Sequence, residues 1–136
     1  NPRAALLWAE EHDIIIDFYG FGEPPAYLSN AKHARYRGQL AMVDVPALMG
    51  TYRKFVYMPG ECVSYPGKEM TYAEACGRSA VEALLAGCEV VSNEYLGVAS
   101  WSWFGAGRET TANAMRDAPG QFWQMVTAAV GVDDED

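Results

Sequence analysis

The chain has 136 residues, half of them hydrophobic, and 18 acids against 10 bases give a formal net charge of −8. That length suits one domain with a single core, and the wealth of Trp, Tyr and Phe argues against disorder. The acidic balance argues against general nucleic-acid binding, which needs a basic face, and no apolar run approaches the roughly 18–20 residues of a membrane span.

The elements follow in chain order. Residues from about Arg3 to His12 are strong helix formers with no breaker. Asp13 to Tyr19 is a β-branched and aromatic run that predicts a strand buried on both faces, stopped by Gly20-Phe21-Gly22-Glu23-Pro24-Pro25. Ala26 to Lys32 suits a short helix, Arg35 to Gly38 a weak strand, and Val45 to Tyr52 a helix with Pro46 in its first turn. Lys54 to Met58 reads as a strand ended by Pro59-Gly60, and Glu61 to Thr71 as irregular. A helix ending at Ala86 follows, with Gly87 as a left-handed cap, and then a strand at Cys88 to Ser92. Two more helices are expected near Gly107–Asp117 and Gln121–Val130, and Asp133-Asp134-Glu135-Asp136 as a solvated acidic tail beyond a domain over 1–132.

Strands separated by helices predict an α/β fold whose parallel sheet is covered on both faces, a three-layer arrangement. Ligands of such sheets bind beyond the carboxyl ends of the strands. Gly20–Pro25, Pro59–Ala75 and Asn93–Gly97 therefore form the expected functional edge. Cys62, Cys76 and Cys88 are odd in number and lack CxxC spacing, so neither a disulfide framework nor a zinc site is expected and a reducing cytoplasmic setting fits. His12 and His33 are isolated and suit ordinary surface or core roles.

Two segments invite a ligand reading. Gly20-Phe21-Gly22 begins like a dinucleotide fingerprint, but Pro25 stands where the third glycine belongs and removes an amide, so a turn is the better reading. In the second, Gly77 stands at a helix start, where the free amides around Gly77, Arg78 and Ser79 suit a phosphate. Glu82 lies four residues after Arg78, one turn along on nearly the same face, where it suits a ribose diol or simply an ion pair with Arg78. Glu74, ahead of the helix, is within reach of whatever the phosphate carries.

Read whole, Glu74-x7-Glu82 with Gly77-Arg78 inside it, then Glu82-Ala83-x-x-x-Gly87-x-x-Val90-Val91, resembles the signature of the family 4 retaining glycosyltransferases, which have the GT-B fold. Asn93-Glu94-Tyr95-Leu96-Gly97 is similar to the loop that follows it there. Tyr36-Arg37-Gly38, Val45 to Tyr52 and Phe55 to Pro59 resemble upstream parts of the same domain, so the likeness runs from about Pro2 to Gly97.

The resemblance implies a Rossmann-like domain, the nucleotide-sugar-binding half of a GT-B architecture. Glu82 would hold the ribose hydroxyls of a nucleotide diphosphate sugar, and Glu74 would be the catalytic-side contact to the donor sugar. Gly77, Arg78 and Ser79 would bond the sugar and diphosphate, with Tyr36 and Gly38 near the base. Transfer would retain configuration without an essential metal or cofactor, this half stabilising the departing diphosphate. Departures include Ala75-Cys76 where the motif has Pro-Phe, which makes Cys76 a small buried filler rather than a nucleophile, and a long Pro59–Glu74 stretch whose Tyr65-Pro66-Gly67-Lys68 suits a loop over the site. Asn1-Pro2-Arg3-Ala4 looks like the residues after the family's first strand. That strand, with its diphosphate-binding Arg and Lys, and the acceptor-binding half are therefore expected to be missing, and the piece alone to be inactive. Through that half the protein could meet a membrane surface. Two rivals share the architecture: a non-catalytic nucleotide- or glycan-binding module, and a nucleotide-sugar epimerase, whose His and Arg set is not found here. The aromatic run Trp101, Trp103, Phe104, Phe122 and Trp123 suits a core or a domain interface better than sugar stacking.

Overall fold

A computed structural model describes residues 1–60, 62–65, 68–71, 74 and 76–130, with the backbone alone for 62–65, 68–71, 122, 123 and 126–130. Helix α1 (Pro2–Glu11) is capped by Asn1, whose side chain accepts from the Ala4 amide at 3.1 Å, and Pro2 gives up only an amide that the first turn would leave unpaired. Its apolar stripe buries Ala5, Leu6 and Ala9. Asp13 leaves the helix with a φ of 51°, so the strand that follows begins later than the β-branched run does.

That strand, β1 (Ile16–Phe18), pairs in parallel with β2 (Ala34–Tyr36) across helix α2 (Ala26–Ser29). The pair is not buried on both faces as the sequence suggests: all three β1 residues are half-buried and Ile15 is 50% exposed. A 3-10 turn at Met42–Asp44 leads into helix α3 (Val45–Met49) and strand β3 (Lys54–Tyr57). The stretch read as irregular holds an antiparallel pair instead, β4 (Cys62–Tyr65) against β5 (Lys68–Thr71), with Tyr65 opposite Lys68. A two-residue Pro-Gly connection between short strands is a hairpin signal that the lack of an apolar alternation hid.

Helix α4 (Arg78–Ala86) ends as expected, Gly87 taking a φ of 94°. Strand β6 (Glu89–Ser92) pairs in parallel with β3, Lys54 opposite Glu89 and Tyr57 opposite Ser92. A single helix, α5 (Arg108–Val130), replaces the two expected at the carboxyl end and carries Pro119 inside it. Proline forfeits one backbone bond and strains one turn, and here that did not suffice to divide the helix. The acidic tail at 133–136 lies outside the described residues.

The described residues thus form an α/β fold with five α-helices and two separate parallel pairs, β1–β2 and β3–β6, where the sequence predicts one parallel sheet. The core sits under the second pair. Ala80 and Val81 of α4 pack with Leu96 and Val98, and Tyr57, Val90, Trp103, Phe104 and Met115 close around them. Trp103 and Phe104 are therefore core residues, while Trp101 is 53% exposed. The side chains of Phe122 and Trp123 lie outside the described residues.

Candidate functional site

The carboxyl end of the β3–β6 pair gathers the acidic motif. Glu74 is tied in by its backbone: its amide donates to the Tyr95 carbonyl at 2.9 Å, and the Gly97 amide donates to its carbonyl at 2.8 Å. These bonds form a parallel bridge between Glu74 and Leu96 that extends the β6 direction past the strand itself. The half-buried Glu74 carboxylate accepts from the Tyr57 hydroxyl, which reaches it from the last residue of β3. Its position is thus fixed from two elements. Asn93 secures the neighbouring loop by donating to the Pro59 carbonyl at 2.8 Å.

Gly77 caps α4 with no side-chain bond of its own, and its carbonyl accepts from the amides of Ala80 and Val81. A Cβ at Gly77 would stand 2.7 Å from the Tyr57 ring and 2.9 Å from Leu96. The glycine is required by that close packing, a use different from the ligand approach the sequence suggests. Ser79 follows within the first turn, where backbone amides have no acceptor inside the helix.

Arg78 and Glu82 form an ion pair at 2.8 Å. Their side chains are 84% and 41% exposed, so Glu82 faces outward from the turn above while Ala80, Val81, Ala83 and Leu84 fill the core. The ion pair engages one carboxylate oxygen of Glu82 and leaves the group in reach of solvent. Cys76 is exposed, contrary to the buried filler expected, because it lies in the connection ahead of Gly77 rather than under it. Among the described side chains Cys88 is the buried thiol: its Sγ lies 3.1 Å from the Met49 carbonyl, and burial pushes its pKa up, which disfavours the reactive thiolate. Ala75, Pro66 and Gly67, which bear on the loop expected over the site, lie outside the described residues.

Tyr36 and Gly38 stand apart from this cluster, at the end of β2. The Tyr36 hydroxyl donates to the Gly22 carbonyl at 3.0 Å, and the Gly38 carbonyl accepts from the Gly20 amide at 3.0 Å. The Gly20–Pro25 segment is thus a turn pinned to β2, as its Pro25 suggests. His12 and His33 have ordinary roles, stacking on Trp8 and bonding the Ile14 carbonyl respectively.

Sequence reading missed a second polar cluster, on the β1 side. Asp17 is 14% exposed and accepts from the Tyr52 hydroxyl at 2.7 Å, with Arg37 Nε 3.1 Å from its other oxygen. Burial alone would raise the Asp17 pKa, but the Tyr52 and Arg37 contacts outweigh it and hold the carboxyl below its usual range. The Tyr52 hydroxyl also meets that of Tyr19 at 2.9 Å, and these contacts push its own pKa up. An acid inside an Ile-rich strand was the available signal. Beside this cluster lies a cavity of about 680 Å³ between β1 and β3, and a smaller one of about 210 Å³ lies near Gly87 and Arg108. Neither includes Glu74, Gly77, Arg78, Ser79 or Glu82.

Among the described residues, no group of three His, Cys, Asp or Glu could hold a metal ion, and no helix is long and apolar enough to cross a membrane. Set against known proteins, the chain matches no family model, no curated protein and no solved structure.

Proposed function

We propose that this chain is the nucleotide-sugar-binding half of a retaining glycosyltransferase, a Rossmann-like domain of a GT-B protein whose acceptor-binding half lies elsewhere. The observation that carries the reading is the joint placement of Glu74, the Gly77 turn and the first turn of α4 at one strand end, with the Glu82 carboxylate exposed one turn along. A diphosphate at the α4 amides would be held by unpaired N–H groups and the helix dipole. From there Glu82 reaches a ribose diol, which two charge-assisted hydrogen bonds would grip.

Glu74 takes the catalytic-side role. Its carboxylate is held by the Tyr57 hydroxyl, and from that position it takes the hydroxyls of the donor sugar. Donors aimed at the diphosphate stabilise the charge that grows there as the glycosidic bond breaks. Neither metal nor cofactor enters this scheme. Tyr36 and Gly38, at the end of the other parallel pair, are proposed to border the base.

Calorimetry with UDP-, GDP- and ADP-sugars, against NAD, tests the reading on the wild-type chain and on Glu82→Ala. One sugar nucleotide is expected to bind, and Glu82→Ala to weaken it about 10- to 100-fold, the worth of a lost charged hydrogen-bond pair. Equal binding by both proteins, or preference for NAD, removes the assignment.

A further inference from the structure

Tyr57 touches two parts of the candidate donor site that lie on separate segments, the Glu74 carboxylate and the Gly77 turn. It closes β3, opposite Ser92 at the end of β6. Its ring packs against the buried cluster of Ala80, Val81, Leu96 and Val98 and stacks on Phe55, with centroids 6.1 Å apart. At Gly77 the ring comes so close that a Cβ there would stand 2.7 Å from it. A tyrosine has only two side-chain torsions, so a ring packed on these sides brings its hydroxyl to one place. That place is the Glu74 carboxylate, which accepts the bond at Oε2.

Glu74 has a use for such a partner. Its backbone is pinned twice, by its amide bond to the Tyr95 carbonyl at 2.9 Å and by the Gly97 amide at 2.8 Å. A backbone anchor leaves the side-chain torsions of a glutamate unset. Fixing them only when a ligand binds lowers affinity by roughly tenfold. The Tyr57 bond fixes them in the folded protein beforehand, which is preorganisation. A carboxylate offers about four lone-pair sites, so one bond to a phenol and two to sugar hydroxyls fit on a single group. The two contacts of Tyr57 are also separable. Its ring supports Gly77, whereas its hydroxyl reaches Glu74.

We propose that the Tyr57 hydroxyl is the positioning group through which this site reads the sugar of a nucleoside diphosphate sugar, by holding Glu74 ready for the sugar hydroxyls. The inference rests on the nucleotide-sugar reading of the same site and adds to it the residue that sets sugar recognition apart from diphosphate recognition. Tyr57 acts through Glu74, and the diphosphate and ribose contacts belong to α4.

Calorimetry on the wild-type chain, Tyr57→Phe, Glu74→Ala and the double variant tests this. The probes are UDP-glucose, GDP-mannose and ADP-glucose, each beside its free nucleoside diphosphate. Tyr57→Phe keeps the ring and should weaken the nucleotide sugar that the wild type binds about five- to tenfold, with the free diphosphate changed less than about twofold. On the Glu74→Ala background it should add nothing, as a group acting through Glu74 requires. Equal weakening of nucleotide sugar and free diphosphate marks a structural role and overturns the proposal. An undiminished nucleotide-sugar affinity, or losses that add in the double variant, overturns it too, and all three leave the donor reading standing. Wild-type protein that binds no nucleotide sugar removes the donor reading and this proposal with it. A ligand-free measurement tells the two failures apart: three-bond couplings along the Glu74 side chain should show one rotamer in the wild type and averaging in Tyr57→Phe. Equal couplings in both proteins overturn the positioning role whatever nucleotide binds. Should Tyr57→Phe lose its dispersed amide resonances, Tyr57→Met, which also fills the space beside Gly77 without a hydroxyl, takes its place with the same expected outcomes.

Discussion

The two parallel pairs are built on the same plan and differ in how well they are sealed. Each joins two parallel strands through a helix, α2 in the first and α4, preceded by the β4–β5 pair, in the second. Around β3–β6, helix α4 buries four residues and the loop after β6 adds Leu96 and Val98, both almost fully enclosed. No strand residue of either pair is fully buried, and beside β1–β2 the polar trio of Asp17, Tyr52 and Arg37 holds the edge that faces the cavity. Regular β geometry therefore arises in both places, but the contiguous buried cluster of Ala80, Val81, Leu96 and Val98 lies against β3–β6, while β1–β2 has the separate buried residues of α1 and α2. The candidate donor site stands on the sealed pair, where Glu74 and α4 can be held rigidly. The open cavity stands on the other side of β3.

Large-to-small substitutions probe that contrast most strongly. Leu96→Ala should destabilise by about 2–5 kcal/mol, since it removes a fully buried side chain and leaves a cavity beside Tyr57 and Gly77. Ile16→Ala, on a half-buried strand beside an already open space, should cost about 1 kcal/mol or less. Urea unfolding of both variants reads the difference. Comparable losses would mean that β1 is as well packed as β6 and would erase the distinction between the pairs.

How much of this was legible follows the same line. The sealed half was readable: the left-handed Gly87, the α4 boundaries and the strand at Glu89–Ser92 follow from a clear apolar stripe and a glycine stop. Gly77 and Glu74 were singled out, but their partner Tyr57 was not, because a strand pattern does not reveal which tyrosine ends level with a distant loop. In the open half, Ile14-Ile15-Ile16 promised a doubly buried strand from composition alone. Burial depends on what covers a strand, and that is a tertiary fact. The β4–β5 hairpin escaped because its strands alternate polar and apolar residues weakly, and the unity of α5 because Pro119-Gly120 is locally a stop signal.

The polar edge of the open half gives a smaller, pH-dependent effect. Tyr52→Phe removes the hydroxyl that Asp17 and Tyr19 share and should cost about 1.5–3 kcal/mol near pH 7, the range for hydrogen bonds to a charged group. The sign with pH is fixed by Asp17. Its folded pKa is lowered, chiefly by Tyr52 and Arg37 against the opposing cost of burial, so it contributes stability above the unfolded value of about 3.9 that is lost as pH falls through the lower folded value. The wild type should accordingly lose more stability than Tyr52→Phe between pH 6 and pH 2, roughly the window that spans both states of the carboxyl. Parallel curves for the two proteins would show that Asp17 draws nothing from Tyr52.

The smallest stability effect belongs to the sealed half, at Arg78. The Arg78–Glu82 pair is exposed, places the cation N-terminal to the acid, and sets Arg78 at the positive end of the α4 dipole. All three features weaken it, so Arg78→Ala should change unfolding free energy by about 0.3 kcal/mol or less, roughly 1 °C in melting temperature. High salt should erase even that difference. Such a weak pair is open to competition, because an anion at the α4 amides could draw the guanidinium away from Glu82 with little loss. Sugar-nucleotide binding should then fall far more than stability does when Arg78 is removed, by about tenfold for one charged contact. A variant that loses more than about 1 kcal/mol of stability would instead identify the pair as part of what holds α4 in place. Glu82 would then already be engaged, and the sealed half would have its rigidity without a free carboxylate to offer.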